Sequence, residues 1–190
     1  MRQIKARIMD NKLRDKTAMF FKPLLADNLS ADHHRMMVVC KLGEAVEAWR
    51  RNQHADIESF KTMLQTAKEQ TTMTKAWYAT WYPNWYDKYI LNSVEDKIGD
   101  AAIRALIYYY VICEDVNLGY NYDESQATFV ESVDILVQTI YNTFEYSNFF
   151  WRLRYLYKRL GYRKASDFDY IVNAKLTYLG FRGLDEHKRF

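Results

Sequence analysis

The stretch "VEDKIGDAAIRAL", residues 94–106, decides the fold of this chain. Its apolar residues recur at intervals of three and four, which is the period of an α-helix with one buried face. Three acids, Glu95, Asp96 and Asp100, stand at the entrance of this otherwise apolar helix, and Lys97 lies among them. Because an ionised carboxylate is costly to bury, these acids need either water or a cation beside them.

The segments on both sides of this stretch repeat apolar residues with the same helical period, whereas the alternation typical of strands is scarce. The 190 residues include only 6 Gly and 2 Pro, and 49% are hydrophobic, which is typical of a folded chain with a sizeable core. We therefore predict an all-α fold with a single domain over residues 1–190. Within it, residues 1–29 are a leader and residues 115–165 are a helical insertion.

Capping and breaking residues divide the chain into separate helices. Ser30 is a suitable N-cap for the first helix, and Pro83 is expected to kink the helix of the aromatic stretch or to divide it into two pieces. We predict helices over residues 30–52, 55–70, 89–114, 125–160 and 166–180, the fourth either continuous or divided at residues 147–148.

Composition and charge exclude several classes of protein. The 27 basic and 24 acidic residues give a net charge of +3, which is too even a balance to predict nucleic-acid binding. The longest strongly apolar run, residues 105–113, is too short to cross a bilayer, and the N-terminus has no apolar signal-peptide segment. Cys40 and Cys113 lie in apolar runs and are predicted to be reduced core residues. We expect a cytoplasmic protein without a membrane or nucleic-acid partner.

A second acidic segment, "LGEAVEA" at residues 42–48, repeats the order aliphatic, glycine, carboxylate, alanine that occurs in "IGDAAIRA". Glu44 and Glu47 share a helix face, and Asp96 and Asp100 share another. If these helices pack face to face, four carboxylates converge on one point and require a cation, for which Mg²⁺ or Mn²⁺ is suited. The alternative is two amphipathic helices that expose these acids to solvent.

Three segments together give the chain a resemblance to a known family. "KLGEAVEAWRRN", "VEDKIGDAAIRAL" and "KLTYLGFRGLDEHKRF" resemble, in this order, elements of the MazG-like all-α nucleoside triphosphate pyrophosphohydrolases. The resemblance implies a helical bundle that assembles as a homodimer or homotetramer and binds Mg²⁺, or Mn²⁺, through an ExxE and an ExxD motif. It also implies an enzyme in which water attacks the α–β phosphate link of an NTP or dNTP, giving NMP and pyrophosphate.

The resemblance carries over to individual residues of this chain. It implies that Glu44, Glu47 and Asp100 are the catalytic, metal-binding acids, and Asp96 is the candidate for a fourth metal ligand. The residues that would bind the substrate are Arg104, Lys175, Tyr178 and Arg182, which match the family, and Lys97, which departs from it. An asparagine that is common after that tyrosine in the family is replaced here by Leu179, and the base and sugar preference stays open.

Lys97 is the main departure from the family pattern, which places a glutamate at this position. Exchanging a carboxylate for an ammonium changes the local charge by about two units at neutral pH. Three hypotheses stay open: Asp96 replaces the missing ligand, Lys97 occupies the metal position as a tethered cation, or the fold is kept without nucleotide chemistry. The alternative to the enzyme is therefore a catalytically degenerate MazG-like protein that binds a nucleotide or a protein partner.

Two further groups of side chains invite a functional interpretation. Trp77, Trp81 and Trp85 recur every four residues and would form a ridge, which suits base stacking or, more often, a core or subunit contact. His33 and His34 are adjacent and lack the spacing of zinc ligands, so we interpret both as exposed polar residues near a helix start.

Overall fold

The computed structural model describes residues 30–70, 74–112, 127–142, 146–162 and 165–182. These residues form seven α-helices and no strand, so the predicted all-α fold is confirmed for them. The helices are α1 (Ala31–Arg50), α2 (Ile57–Glu69), α3 (Lys75–Tyr89), α4 (Val94–Ile112), α5 (Phe129–Asn142), α6 (Tyr146–Arg159) and α7 (Ala165–Arg182). The predicted leader at residues 1–29 lies outside the described residues.

Helix α4 is the centre of the fold, and it packs most extensively against α1 and next against α7 and α6. Its inward face, which includes Ile98, Ala101 and Leu106, is fully buried. A Cβ atom added to Gly99 would lie 3.2 Å from Cγ2 of Ile171. The missing side chain at Gly99 therefore lets α7 approach α4 closely, which brings residues of α1, α4 and α7 together.

The start of α4 differs from the prediction, which placed it near Tyr89. The chain leaves α3 after Tyr89 and turns through Asn92, whose φ of 64° lies in the left-handed region. A residue in that conformation cannot continue a right-handed helix. Ser93 then begins the new helix, because its Oγ accepts a hydrogen bond of 3.1 Å from the backbone N–H of Asp96.

Pro83 lies inside α3, which continues from Lys75 to Tyr89, so the alternative in which Pro83 divides this helix into two pieces is wrong. A proline in a helix interior costs about 3 kcal/mol, and tertiary packing has to offset that cost. Two buried tyrosines near the proline supply such packing. Tyr82 and Tyr86 both meet the ring of Phe60 edge-on, at centroid distances of 5.5 and 5.9 Å.

The segment at residues 125–160, predicted as one helix or two, forms the two helices α5 and α6, which pack against each other. The first of these ends at Asn142 and the second begins at Tyr146, so the predicted joint at residues 147–148 lies inside α6. None of the described helices combines the length and the apolar character needed to cross a membrane.

Two predictions about exposure on α1 are wrong, because the helical period places Cys40 and His34 on the faces opposite to those expected. Cys40 is exposed rather than in the core, because it shares the outward stripe of α1 with Met36 and Glu47. His34 is only 6% exposed, because it shares the inward face with Val38 and other buried residues. His33 is exposed as predicted, and Cys113 lies outside the described residues.

Candidate functional site

The candidate site is the α1–α4 seam, the surface along which these two helices meet near their charged residues. We define the seam by six residues: His34, Lys41 and Glu44 on α1, and Lys97, Asp100 and Arg104 on α4. The helices run antiparallel, since Glu44 pairs with Lys97 and Lys41 with Asp100. The seam therefore joins the two acidic segments that the sequence analysis identified.

Glu44 is bound by two lysines, one from each helix of the seam. Its Oε1 lies 2.8 Å from Nζ of Lys41, and its Oε2 lies 2.9 Å from Nζ of Lys97. Burial by itself would raise the pKa of Glu44, but the hydrogen bonds from these two ammonium groups outweigh it and the pKa is lowered. Glu44 is therefore ionised near neutral pH, with a cation on each oxygen.

Asp100 is held less tightly, between a lysine of α1 and a lysine of α7. Its Oδ2 lies 3.5 Å from Nζ of Lys175 and 3.9 Å from Nζ of Lys41. Lys41 thus reaches both Glu44 and Asp100, while Lys175 connects the seam to α7.

Asp96 is fully buried, and each of its oxygens accepts a hydrogen bond. Its Oδ1 lies 2.7 Å from Nζ of Lys175 and accepts a bond of 2.7 Å from the hydroxyl of Tyr86. Its Oδ2 accepts from the backbone N–H of Asn92 at 3.0 Å. Ser93 caps the start of α4, while the Asp96 carboxylate binds the N–H of Asn92, one residue before the cap. The S-x-x-D spacing at residues 93–96 is the sequence signal for this cap, and our sequence analysis missed it.

Lys175 is the cation that compensates the buried charge of Asp96. It is 4% exposed, and burial by itself would lower its pKa, but the negative charges of Asp100 and Asp96 outweigh that effect and raise it. The ammonium also lies over the rings of Tyr86 and Tyr178, at 5.7 and 5.6 Å from their centroids. Lys175 is therefore charged in the folded protein.

These contacts form one continuous ion-pair chain across α1, α4 and α7. In order along the chain its members are Lys97, Glu44, Lys41, Asp100, Lys175 and Asp96. Positive and negative groups alternate, so the charges of its three lysines and three carboxylates balance. No group of three or more His, Cys, Asp or Glu side chains is arranged to hold a metal ion in the part of the chain that the structure describes.

The other two acids of these segments lie outside the ion-pair chain. Glu47 belongs to the outward stripe of α1, where its Oε1 lies 2.8 Å from Nη2 of Arg51. Glu95 is fully buried and accepts hydrogen bonds from the Ala55 backbone at 2.9 Å and the Tyr162 hydroxyl at 3.0 Å. Nδ1 of His54 lies 3.2 Å from the same carboxylate. Glu95 thus fastens the α1–α2 loop to α4, a role that the sequence analysis did not assign.

An open depression of about 300 Å³ lies beside the seam, where α1 ends and α4 begins. It is lined by Glu44, Glu47, Ala48, Arg51, Gln53, Asn92 and Lys97. This volume is at the lower end of the range for small-molecule sites, and all the lining residues except Ala48 have polar or charged side chains. The depression brings Glu44, Glu47 and Lys97 to one surface, whereas Asp96 and Lys175 are buried away from it.

Arg104 differs from the other cations of the seam. Its guanidinium forms no hydrogen bond or ion pair with any residue that the structure describes. Burial lowers its pKa, and the charges of Asp100 and Glu44 act in the opposite direction. Since an arginine keeps its charge in proteins, Arg104 adds one positive charge that the ion-pair chain does not balance.

The predicted residues of the terminal segment fall into two places. Lys175 joins the ion-pair chain, whereas Tyr178 and Arg182 face α3. Tyr178 stacks on Tyr86 with a centroid distance of 4.4 Å, and Arg182 forms an ion pair with Asp87. Burial and a hydrogen bond to Asp87 raise the pKa of Tyr178. In this arrangement Tyr178 and Arg182 contribute to packing between α3 and α7.

No protein-family model, curated protein or solved structure matches this chain.

Proposed function

We propose that this protein is a catalytically degenerate MazG-like protein that binds the phosphate groups of a nucleotide without a divalent metal. The observation that carries the proposal is the contact of 2.9 Å between Nζ of Lys97 and Oε2 of Glu44. The family pattern places a glutamate at position 97. A lysine of the protein itself then neutralises the carboxylate that a metal would neutralise in the enzyme.

The balance of charge along the ion-pair chain opposes metal binding. A Mg²⁺ ion that approached Glu44 would have to displace Lys41 and Lys97, and its two positive charges would then lie beside both ammonium groups. Nor is Asp96 available as a replacement ligand, because its oxygens already accept bonds from Lys175, Tyr86 and Asn92. Of the three hypotheses about Lys97, a tethered cation in the metal position fits these contacts best.

The proposed ligand is an anion because Arg104 is left without a described partner. A guanidinium binds phosphate through two parallel hydrogen bonds, and its attraction for anions is greatest where water is largely excluded. Lys97 and Arg104 are seven residues apart, which places them on the same face of α4 about 10 Å apart along its axis. An extended polyphosphate is suited to such a pair of cations, and the depression beside Lys97 and Arg51 has room for further parts of the ligand.

Replacing Arg104 tests the proposed function. We expect Arg104→Met to weaken binding of a nucleoside triphosphate, measured by calorimetry in EDTA, by about 10- to 100-fold, because a hydrogen bond to a charged group contributes about 1.5–3 kcal/mol. Arg104→Lys should retain part of the affinity.

The matched control is Arg50→Met, which removes an exposed arginine of α1 outside the seam. It should leave the affinity unchanged. A folded Arg104→Met protein that binds the triphosphate as tightly as the wild type would remove Arg104 from the site.

A Mg²⁺-dependent pyrophosphohydrolase is the second candidate, and one observation favours it. Glu44 and Glu47 both line the open depression, so a Mg²⁺–triphosphate complex would meet two carboxylates there if Lys97 turned towards solvent. Asp100, and in the sequence-based prediction Asp96, would complete the metal ligands, and one carboxylate would orient the attacking water.

Under this second candidate, Glu47→Gln should abolish the release of pyrophosphate from an NTP or dNTP while the protein remains folded. The check is product analysis with Mg²⁺ and with Mn²⁺, with circular dichroism to confirm folding. Full activity of the variant would exclude the assignment of Glu47 to the metal.

We also propose that the protein assembles as a homodimer or homotetramer, as the family resemblance implies, and that it is cytoplasmic, as its composition suggests. Large apolar side chains on the surface are suited to a contact between subunits: Trp151 is 61% exposed and Met36 is 52% exposed. Light scattering of the purified protein would measure the number of subunits.

A further inference from the structure

His34 is a buried imidazole without a described partner. The residue is 6% exposed, and its ring makes no hydrogen bond or ion pair with a residue that the structure describes. Its nearest described ring is that of His33, which it meets edge-on at 6.0 Å. The ring nitrogens are not fully enclosed, so a ligand at the surface of the seam can reach them.

The register of the seam places His34 near Arg104. Lys41 lies beside Asp100, and two turns earlier on α1 the guanidinium of Arg35 donates to the hydroxyl of Tyr108 at 3.0 and 3.2 Å. Arg104 lies midway between Asp100 and Tyr108 on α4, and its charge acts on His34. The guanidinium and the imidazole therefore lie at the same end of the seam, on opposite helices, and both lack a described partner.

We propose that His34 is a second ligand for the anion held by Arg104, and that proton uptake by its imidazole couples anion binding to pH. This inference rests on the proposed function, since it assigns a regulatory residue to the same phosphate site. The ligand group is a phosphate or another tetrahedral oxyanion, which can accept hydrogen bonds from a guanidinium and an imidazolium together.

The charges around His34 determine how anion binding depends on pH. Burial is the largest cause that lowers the pKa of His34, and the positive charges of His33 on α1 and Arg104 on α4 lower it further. These are the charged groups that act on His34 within the described residues, while the rings of Tyr108 and Tyr141 surround the neighbouring Arg35. The imidazole is therefore neutral at pH 7 while the site is empty.

An anion bound between His34 and Arg104 would favour the protonated form of the His34 imidazole. Its negative charge would raise the pKa of His34, so that binding takes up a proton. The affinity should rise as the pH falls through the interval between the pKa of His34 in the bound protein and its lower pKa in the free protein. Below the lower pKa the affinity should become constant.

The test uses sulfate as the probe, because it keeps its charge between pH 5 and 8 whereas phosphate does not. Imidazole resonances of the full-length protein are followed by NMR across this range, with and without sulfate, and His34→Asn identifies the His34 signal. The apparent pKa of His34 should rise by at least about half a unit with sulfate, which corresponds to about a threefold gain in sulfate affinity at low pH.

His33→Asn is the matched control and should keep the pH dependence, whereas His34→Asn should lose it. The wild-type titration of His34 remains decisive if His34→Asn fails to fold. A His34 signal that does not respond to sulfate, while a nucleoside triphosphate binds in a manner that depends on Arg104, overturns this inference and leaves the proposed function standing. Binding of neither sulfate nor a triphosphate at any pH overturns both.

Discussion

Replacing Lys175 by methionine is expected to lower the free energy of unfolding by about 3–5 kcal/mol, the cost of leaving one partner of a buried ion pair without the other. Asp96 is fully buried, and Lys175 is its only ion-pair partner among the described residues. Urea unfolding of wild type and variant, followed by circular dichroism, would measure the difference.

Two controls separate the loss of the charge pair from the loss of a long side chain. The double variant Lys175→Met/Asp96→Asn removes both charges and should recover part of the stability. Lys68→Met, at an exposed lysine of α2, should change the free energy of unfolding by less than about 0.5 kcal/mol. A Lys175→Met protein within about 1 kcal/mol of wild type would show that this pair does not hold α7 to the seam.

Replacing Lys97 by glutamate is expected to create a binding site for a divalent metal. The exchange frees Oε2 of Glu44, places a third carboxylate beside Glu44 and Glu47, and changes the local charge by about two units. The three neighbouring carboxylates repel one another, and a divalent cation bound between them relieves the repulsion. We expect the affinity for Mn²⁺ to increase by at least about tenfold over wild type, since the relief of one close charge contact exceeds about 1.4 kcal/mol.

Thermal unfolding with and without Mn²⁺ checks this expectation, because an ion that binds only the folded state raises the midpoint of unfolding. The midpoint of Lys97→Glu should fall in EDTA and rise with Mn²⁺, while that of wild type should respond little. Lys68→Glu makes the same change of charge on an exposed part of α2 and serves as the control. Equal responses of the two variants to Mn²⁺ would show that position 97 does not face a metal site.

The helical architecture could be predicted from sequence because it depends on local signals. The period of apolar residues defines α1, α2 and α4, and Ser30 caps α1 through a hydrogen bond to the backbone N–H of His33, as expected. The errors arise where packing outweighs local preference. Pro83 is accommodated inside α3 by aromatic contacts between helices, and these contacts involve residues distant in the sequence.

The candidate site was only partly predictable from sequence, because its contacts also depend on how the helices pack. Sequence analysis identified both acidic segments, and the structure brings Glu44, Asp96, Asp100 and Lys175 into one ion-pair chain. It did not identify Lys41, whose two contacts depend on how α1 and α4 align. The separate roles of Glu47 at the surface and Glu95 in the interior likewise follow from the rotation of each helix about its axis, which tertiary packing sets.

The most direct test of a lysine in the metal position is a titration of wild-type protein with a nucleoside triphosphate, in EDTA and in Mg²⁺, combined with analysis of the products. We predict the same dissociation constant, within about threefold, in both conditions, and no release of pyrophosphate, because Lys97 already neutralises Glu44. Binding that requires Mg²⁺, together with release of pyrophosphate and monophosphate, would contradict this account and establish the hydrolase instead.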